Sequence, residues 1–514
     1  MKTFLDYTQD LDSTKTGFDS VTRGLLSYYI SGKNLITNNF FENRLFVTKE
    51  DIEKKIKELD KKLFEIKKLK KEIINSNLPE IEKNFVFNNL NSIGLKFIMF
   101  KYSIYLEAEK GGFEIDDAKR IIYLKRVNKI QDIVYGPEIS SDEGEKQRVL
   151  DEMYKKFLKG KSKLTETEQQ SYLSFLQELG YSNFDFPNSG NRIQKEKKST
   201  KNNNNSKLDL SKIFLTKQKI IHIFELLLDL YGLKQFKVSL ESYTSFSVQK
   251  IENELESENG KYTHKLVIPK LKVEKTSLKK ILELFDHEVG VHAIRGNNTF
   301  LTIKVIGDRY VNIEEGFATL SQKLFDENID KVKVIPNIGH ISSLVAEKYN
   351  GESCQKFFEL YFKLTKPKDT SKDEIILLAK NRVIRIKKFV SLKEPGANRK
   401  DTSYTRGQTQ VVDYLQSVID VDRQKFLKDF YFSKLSFEDI GLVEEFRKSL
   451  GIDETELKYP LWIGKILYKK LLGEKVTLSG LQEEDFRFQV IEKFSIGVKR
   501  KIVRILQEIR GKKK

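Results

Sequence analysis

The sequence predicts an α+β protein that is mainly helical, with a small antiparallel sheet next to one helix carrying an H-E-x-x-x-H pattern. Three observations lead there. Apolar residues recur at helical spacing from about 18 to 180 and again from about 312 to 510. Three short strand-like runs, FKVSLE, SFSVQKIE and YTHKLVIP, lie together after residue 235. Between the helical stretches, PNSGNRIQKEKKSTKNNNNSK (187–207) holds one large aliphatic residue, Ile193, and four consecutive asparagines. Such a segment buries too little apolar surface to offset its ordering entropy. The chain is therefore divided into a helical N-terminal region (1–186), a flexible linker or surface insert (187–207) and an α+β domain (208–514).

In chain order, Ile52, Ile56, Leu59, Leu63, Ile66 and Ile73 form one apolar stripe. Thr48 and Asp51 are spaced as an N-terminal capping pair for it. A partner stripe is expected in FVFNNLNSIGLKFIMFKYSIYLEAE, and a further helix in DDAKRIIYLKRVNKIQDIVYG. Beyond the insert, KQKIIHIFELLLDLYG reads as a helix ending at Gly232, with His222 packed in its apolar face. An Asn259-Gly260 turn precedes the last strand. Ser277 then opens a helix lined by Leu278, Ile281, Leu282 and Phe285, expected to stop near Gly296. His264 alternates within a strand, and His340 follows a glycine in a loop.

With 514 residues, 39% hydrophobic and 32% charged, the chain suits a globular protein with a sizeable core. One cysteine, Cys354, excludes an internal disulfide. The opening residues lack the apolar core of a signal peptide, and no run approaches the roughly 18 apolar residues of a membrane span. A cytoplasmic location is expected. The formal charge of +18 would suit a polyanion. However, lysines alternate with glutamates along helices such as EDIEKKIKELDKKLFEIKKLKKE, which describes a solvated face, so no specific nucleic-acid partner is expected. Walker, dinucleotide and zinc-knuckle patterns are absent.

The chemistry concentrates in FDHEVGVHAIRGNNTF. His287 and His292 supply two imidazoles, and Glu288 a carboxylate beside the first. Catalytic zinc takes three protein ligands and keeps one position open. A neighbouring glutamate can take a proton from the attacking water and pass it to a leaving amine. Five residues on a regular helix span about 140° around the axis, against about 40° for four. Two histidines five apart therefore need a single-turn π-bulge to share an ion, and Gly290 eases one. The dipeptidyl peptidase III family has the same six-residue spacing. A third ligand is expected in YVNIEEGFATLSQKLF. Glu315 is the leading choice, although Asn312 and Glu315 also have the spacing of a capping box. Glu314 is an alternative ligand, or a carboxylate that orients a histidine.

HEVGVHAIRGNN followed by NIEEGFATL resembles the tyrosine carboxypeptidase-like metallopeptidases, which include bacterial proteins named for a Q-E-G-L-A motif. That segment appears here as Glu314-Glu315-Gly316-Phe317-Ala318, which places its glutamate on Glu315. Arg295 and Asn297 or Asn298 fit the family pattern; Val291 replaces a threonine. Lys400, Asp401, Tyr404 and Gly407 resemble a family K-D-x-x-Y stretch, and QDIVYGPE loosely resembles an upstream one. The resemblance spans about 120 to 420. It implies a helical zinc-peptidase fold and a Zn2+-dependent carboxypeptidase that removes a C-terminal residue from a peptide or protein, the aromatic tyrosine in the tubulin-directed members. His287, His292 and Glu315 would hold the metal, with Glu288 as base. Tyr404 is a candidate donor to the oxyanion, and Arg295 or Arg406 a fork for the substrate's terminal carboxylate. The rival readings are a zinc aminopeptidase or endopeptidase, and a catalytically silent basic binding protein.

Overall fold

The first described helix, Lys49–Ile74, begins where the capping pair puts it. Thr48 Oγ1 accepts from the Asp51 N–H at 3.1 Å, and the Asp51 carboxylate accepts from the Thr48 N–H at 3.1 Å. Every seventh residue, Ile52, Leu59, Ile66 and Ile73, is buried, and this line packs on the helix Glu80–Lys110. The structure is a computed structural model that describes residues 48–110, 113–182, 209–242, 246–251, 258, 261–270, 273–303, 310–490 and 495–510. The expected insert at 187–207 and the Asn259-Gly260 turn lie outside the described residues. No helix among the described residues is long and apolar enough to cross a membrane.

Two compact units result, and they divide the chain differently from the boundary expected at 208. One gathers the described residues of 1–195 and 334–406, the other those of 196–333 and 407–514. The reason is core completion. Helix Gly351–Thr365 carries Phe357, Phe358, Tyr361 and Leu364, which share one buried cluster with Val149, Met153, Phe157 and Tyr172. Those partners lie on helices Glu143–Gly160 and Glu166–Glu178. Lys163 Nζ ties the same segments by donating to the carbonyls of Leu364 and Lys366.

The second unit holds the sheet. Strand β1 is Phe236–Glu241, β2 is Ser247–Lys250 and β3 is His264–Pro269. The order is β1-β3-β2, with β1 parallel and β2 antiparallel to β3. The sheet is thus mixed rather than antiparallel. β3 takes the centre because Leu266, Val267 and Ile268 are apolar on both faces and wholly buried, whereas β1 and β2 are half-exposed edges. Helix Lys217–Leu230 precedes the sheet. His222 is not packed in its core: its side chain is 42% exposed, near Glu225 and Glu508. His264 stacks on Phe236 in the sheet. In the first unit, His340 lies within a helix, Ile338–Lys348, rather than a loop.

Candidate metal centre

Ser277 caps the helix Leu278–Leu284, its hydroxyl accepting from the Lys280 N–H. Leu278, Ile281, Leu282 and Phe285 are buried as expected. From Phe285 to Ala293 the chain is a π-helix, the widened turn that the five-residue histidine spacing demands. Tertiary anchors hold it. The Tyr431 hydroxyl donates to the Gly290 carbonyl at 2.8 Å. The Asp286 carboxylate accepts from the N–H groups of Gly464 (2.8 Å) and Lys465 (3.1 Å), the opening turn of helix Ile463–Leu471. A Cβ on Gly464 would lie 2.1 Å from the Leu282 carbonyl oxygen, so only glycine admits this approach. Trp462, wholly buried, adopts a left-handed backbone (φ 46°) to turn the chain behind Gly290.

The helix does not stop at Gly296 but continues as Ile294–Leu301. Tertiary bonds outweigh the glycine's local preference: the Asn298 amide donates to the carbonyls of Tyr431 and Lys458, and Thr299 Oγ1 accepts from the Lys434 N–H.

Helix Val311–Lys323 brings the third side chain. Asn312 does not cap it. Tyr310 is the cap residue and makes no side-chain cap bond, so Glu315 is not committed to a capping box. This helix crosses Ser403–Ser417 at two glycines. A Cβ on Gly316 would meet the Gly407 carbonyl carbon at 2.1 Å, and one on Gly407 the Asn312 carbonyl oxygen at 1.7 Å.

His287, His292 and Glu315 converge, with one ligand atom from each lying within 4.8 Å of the others. The two Nε2 atoms are 3.3 Å apart, and His292 Nε2 is 3.7 Å from Glu315 Oε2. Two nitrogens at zinc-bond length in a tetrahedron are separated by about 3.3 Å, so the donor set fits such an ion. Glu288 Oε1 lies 3.9 Å from His287 Nε2. Burial pushes the Glu288 carboxyl up to about 7, against the pull of His292. Burial opposes charge on His292, but Glu315 and Glu314 outweigh it and raise that imidazole to about 9.

Glu314 takes the orienting role. Its Oε1 is 2.6 Å from His292 Nδ1, which leaves Nε2 turned to the site. Lys434 Nζ (2.8 Å) and Arg295 (2.9 Å) hold the same carboxylate. Burial opposes its ionisation, yet Lys434 and Arg295 keep it well below the usual carboxylate range.

The two arginines expected to receive a substrate carboxylate are engaged elsewhere. Arg295 is wholly buried. It donates to Glu314 and to the carbonyls of Phe430, Ser433 and Leu435, with its guanidinium 3.9 Å from the Phe430 ring centroid. Four of its five N–H donors are engaged inside the core, so it positions Glu314 and presents no open fork to a substrate. Arg406, within the first unit, chelates Glu145 (3.0 and 2.7 Å) and donates to the carbonyls of Tyr135 and Pro137. It is likewise a structural ion pair. Tyr404 bonds Arg385 in that unit, and Arg385 clamps Asp401. Sequence reasoning missed Gln322, whose Nε2 lies 2.6 Å from His287 Nδ1. It stands seven residues after Glu315, two turns along the same helix face, and that spacing was the available signal. Lys434 and Tyr431 had none, being more than a hundred residues away. No family model, curated protein or solved structure matches the chain.

Proposed function

We propose that the chain is a zinc-dependent peptidase of the carboxypeptidase type, with His287, His292 and Glu315 as metal ligands and Glu288 as general base. The observation that carries the metal reading is the convergence of those three side chains at a π turn, 3.3 Å between the imidazole nitrogens. A zinc ion held there would polarise a scissile carbonyl and activate water. Glu288 takes the water's proton and returns it to the leaving amine. Glu314, held by Arg295 and Lys434, keeps His292 oriented. The carboxypeptidase assignment and the helical zinc-peptidase fold rest on the likeness of HEVGVHAIRGNN and NIEEGFATL to the tyrosine carboxypeptidase-like pattern.

Engagement of Arg295 and Arg406 elsewhere favours a second reading, an endopeptidase or aminopeptidase on the same metal triad. Metal analysis of the pure chain, combined with mass spectrometry of peptides after incubation, separates them. About one zinc per chain is expected, lost in His287→Ala, His292→Ala. Free-acid peptides should lose C-terminal residues one at a time, amidated ones should survive, and N-terminal acetylation should not matter. Equal internal cleavage of amidated and free peptides establishes an endopeptidase, and protection by acetylation alone an aminopeptidase. Full zinc in the double variant sinks the ligand assignment.

A further inference from the structure

In the first unit, helices Glu166–Glu178, Gly351–Thr365 and Lys372–Ile386 enclose a cleft of about 940 Å³. Small-ligand sites run from roughly 300 to 1,000 Å³. No residue of the metal centre lines it. Its lining is sorted by depth. The second and third helices pack on each other and are joined by residues 366–371, so they form an antiparallel pair whose levels can be counted from that loop. Lys363, Lys368 and Lys372 stand at the loop end. Lys163 joins them there, its Nζ donating to the carbonyls of Leu364 and Lys366 at 3.0 and 2.6 Å. One turn deeper, Leu360 precedes Lys363 by three residues, and Ile375 and Ile376 follow Lys372 by three and four. On the first helix, Glu168 meets Lys363 at the loop end (2.6 and 2.8 Å), and Phe175 lies two turns below it.

The two levels differ in character. Phe175, Leu360, Ile375 and Ile376 are half-buried, so they form an apolar shelf open to solvent. Phe175 is held edge-on by Tyr349 and Phe357, ring centroids 5.3 and 5.6 Å away. The mouth above is unbalanced in charge: five lysines and two glutamates line the cleft. Lys363 is occupied by Glu168, and Lys356 by Glu352 at 2.8 Å. Among the described residues, no carboxylate pairs with Lys163, and Lys368 and Lys372 make neither ion pair nor hydrogen bond. An ammonium has three N–H donors, so Lys163 keeps one to offer from a fixed position.

We propose that this cleft binds an amphiphilic anion, a single alkyl or acyl chain with an acidic headgroup. The headgroup lies against Lys163, Lys368 and Lys372, and the chain covers Phe175, Leu360, Ile375 and Ile376. A bare oxyanion leaves the shelf wet, and a neutral apolar molecule leaves three ammonium groups unpaired. The inference is independent of the metal reading. Calorimetric titration of the full chain with sodium decanoate tests it. One saturable site is expected, weakening as salt is added. Decanol and inorganic phosphate each carry half of the ligand and should bind at least about tenfold more weakly. Hexanoate, with less chain to bury, should do the same. Lys368→Gln, Lys372→Gln should lower decanoate affinity by about tenfold and flatten its salt dependence. Ile375→Glu sets a like charge on the shelf and should abolish binding. Both variants alter exposed or half-buried positions, so their melting temperatures without decanoate should match wild type. Decanoate taken up at the histidine cluster or elsewhere would titrate undiminished in both variants. That result, equal affinity for decanol and decanoate, or no saturable binding to the wild-type chain overturns the proposal.

Discussion

Arg295 shows how one residue's role follows from its surroundings rather than its type. An arginine one turn after a candidate metal ligand is well placed to receive a carboxylate, and it does receive one, from Glu314 of its own chain. Arg295→Ala is therefore expected to act on the fold first. It leaves Glu314 buried with one cation fewer and three backbone carbonyls without their donor. Breaking such a buried pair typically costs about 3–5 kcal/mol, readable by denaturant unfolding, and zinc affinity should fall with it as His292 loosens. A variant with unchanged stability and selectively weakened free-acid substrate would restore the substrate-binding role. Glu288 differs: among the described residues no cation pairs with it in hydrogen-bond range, and burial has lifted its pKa. Glu288→Gln is expected to keep fold and zinc while turnover drops by about 10²–10⁴-fold. Near-normal rates on a reporter peptide would place the base elsewhere.

At the level of elements, the π turn is a conformation that its neighbours impose. A π segment is rare and appears mostly as a single widened turn inside an α-helix. Here Tyr431 occupies the Gly290 carbonyl, and Asp286 sits on the opening turn of Ile463–Leu471. The second anchor depends on Gly464. Gly464→Ala would put a Cβ 2.1 Å from the Leu282 carbonyl oxygen. The two helices must separate, and the Asp286 bonds lengthen. Overpacking of this kind costs about 1–3 kcal/mol or more. The expected result is a lowered melting temperature together with lost zinc, because relaxation towards α-helical spacing turns the histidines apart. If zinc affinity survived while stability fell, the turn would be self-sustaining and the anchors dispensable.

Across the molecule, each unit is stapled by buried charge. In the first, Glu145 accepts from His340 (2.6 Å) and from both arms of Arg406. Burial works to raise its pKa, but the bonds from His340 and Arg406 prevail and hold it at about 2. A depressed carboxylate stabilises the fold above its unfolded pKa, and that contribution fades as pH falls towards the folded value. For Glu145 this is about 3 kcal/mol, present at neutral pH and lost between about pH 5 and 2. Glu145→Gln should reduce stability at pH 7 by a similar amount and flatten the acid limb of a stability–pH curve. An acid limb as steep as wild type would assign acid unfolding to other carboxylates.

Local rules reach only a few residues along the chain, and what they reach was legible. The Thr48–Asp51 cap, the seven-residue stripe from Ile52 to Ile73, and the Ser277 helix start all involve partners within a turn or two. So does the π turn, because the geometry of His287 and His292 admits no regular helix if they share an ion. Glu315 was legible through its place in a motif. The rest depended on partners far off in sequence. β3 became the central strand because it is the most apolar of the three, a comparison no single strand contains. Gly296 was carried through the helix by bonds to residues 431–458. Residues 334–406 joined the N-terminal unit because Phe357 and its neighbours complete the core around Tyr172. Arg295 and Arg406 were recognisable as carboxylate forks in the sequence. Only the tertiary structure decided that the carboxylates they hold are Glu314 and Glu145, since a buried charge must find its partner wherever the fold brings one within reach.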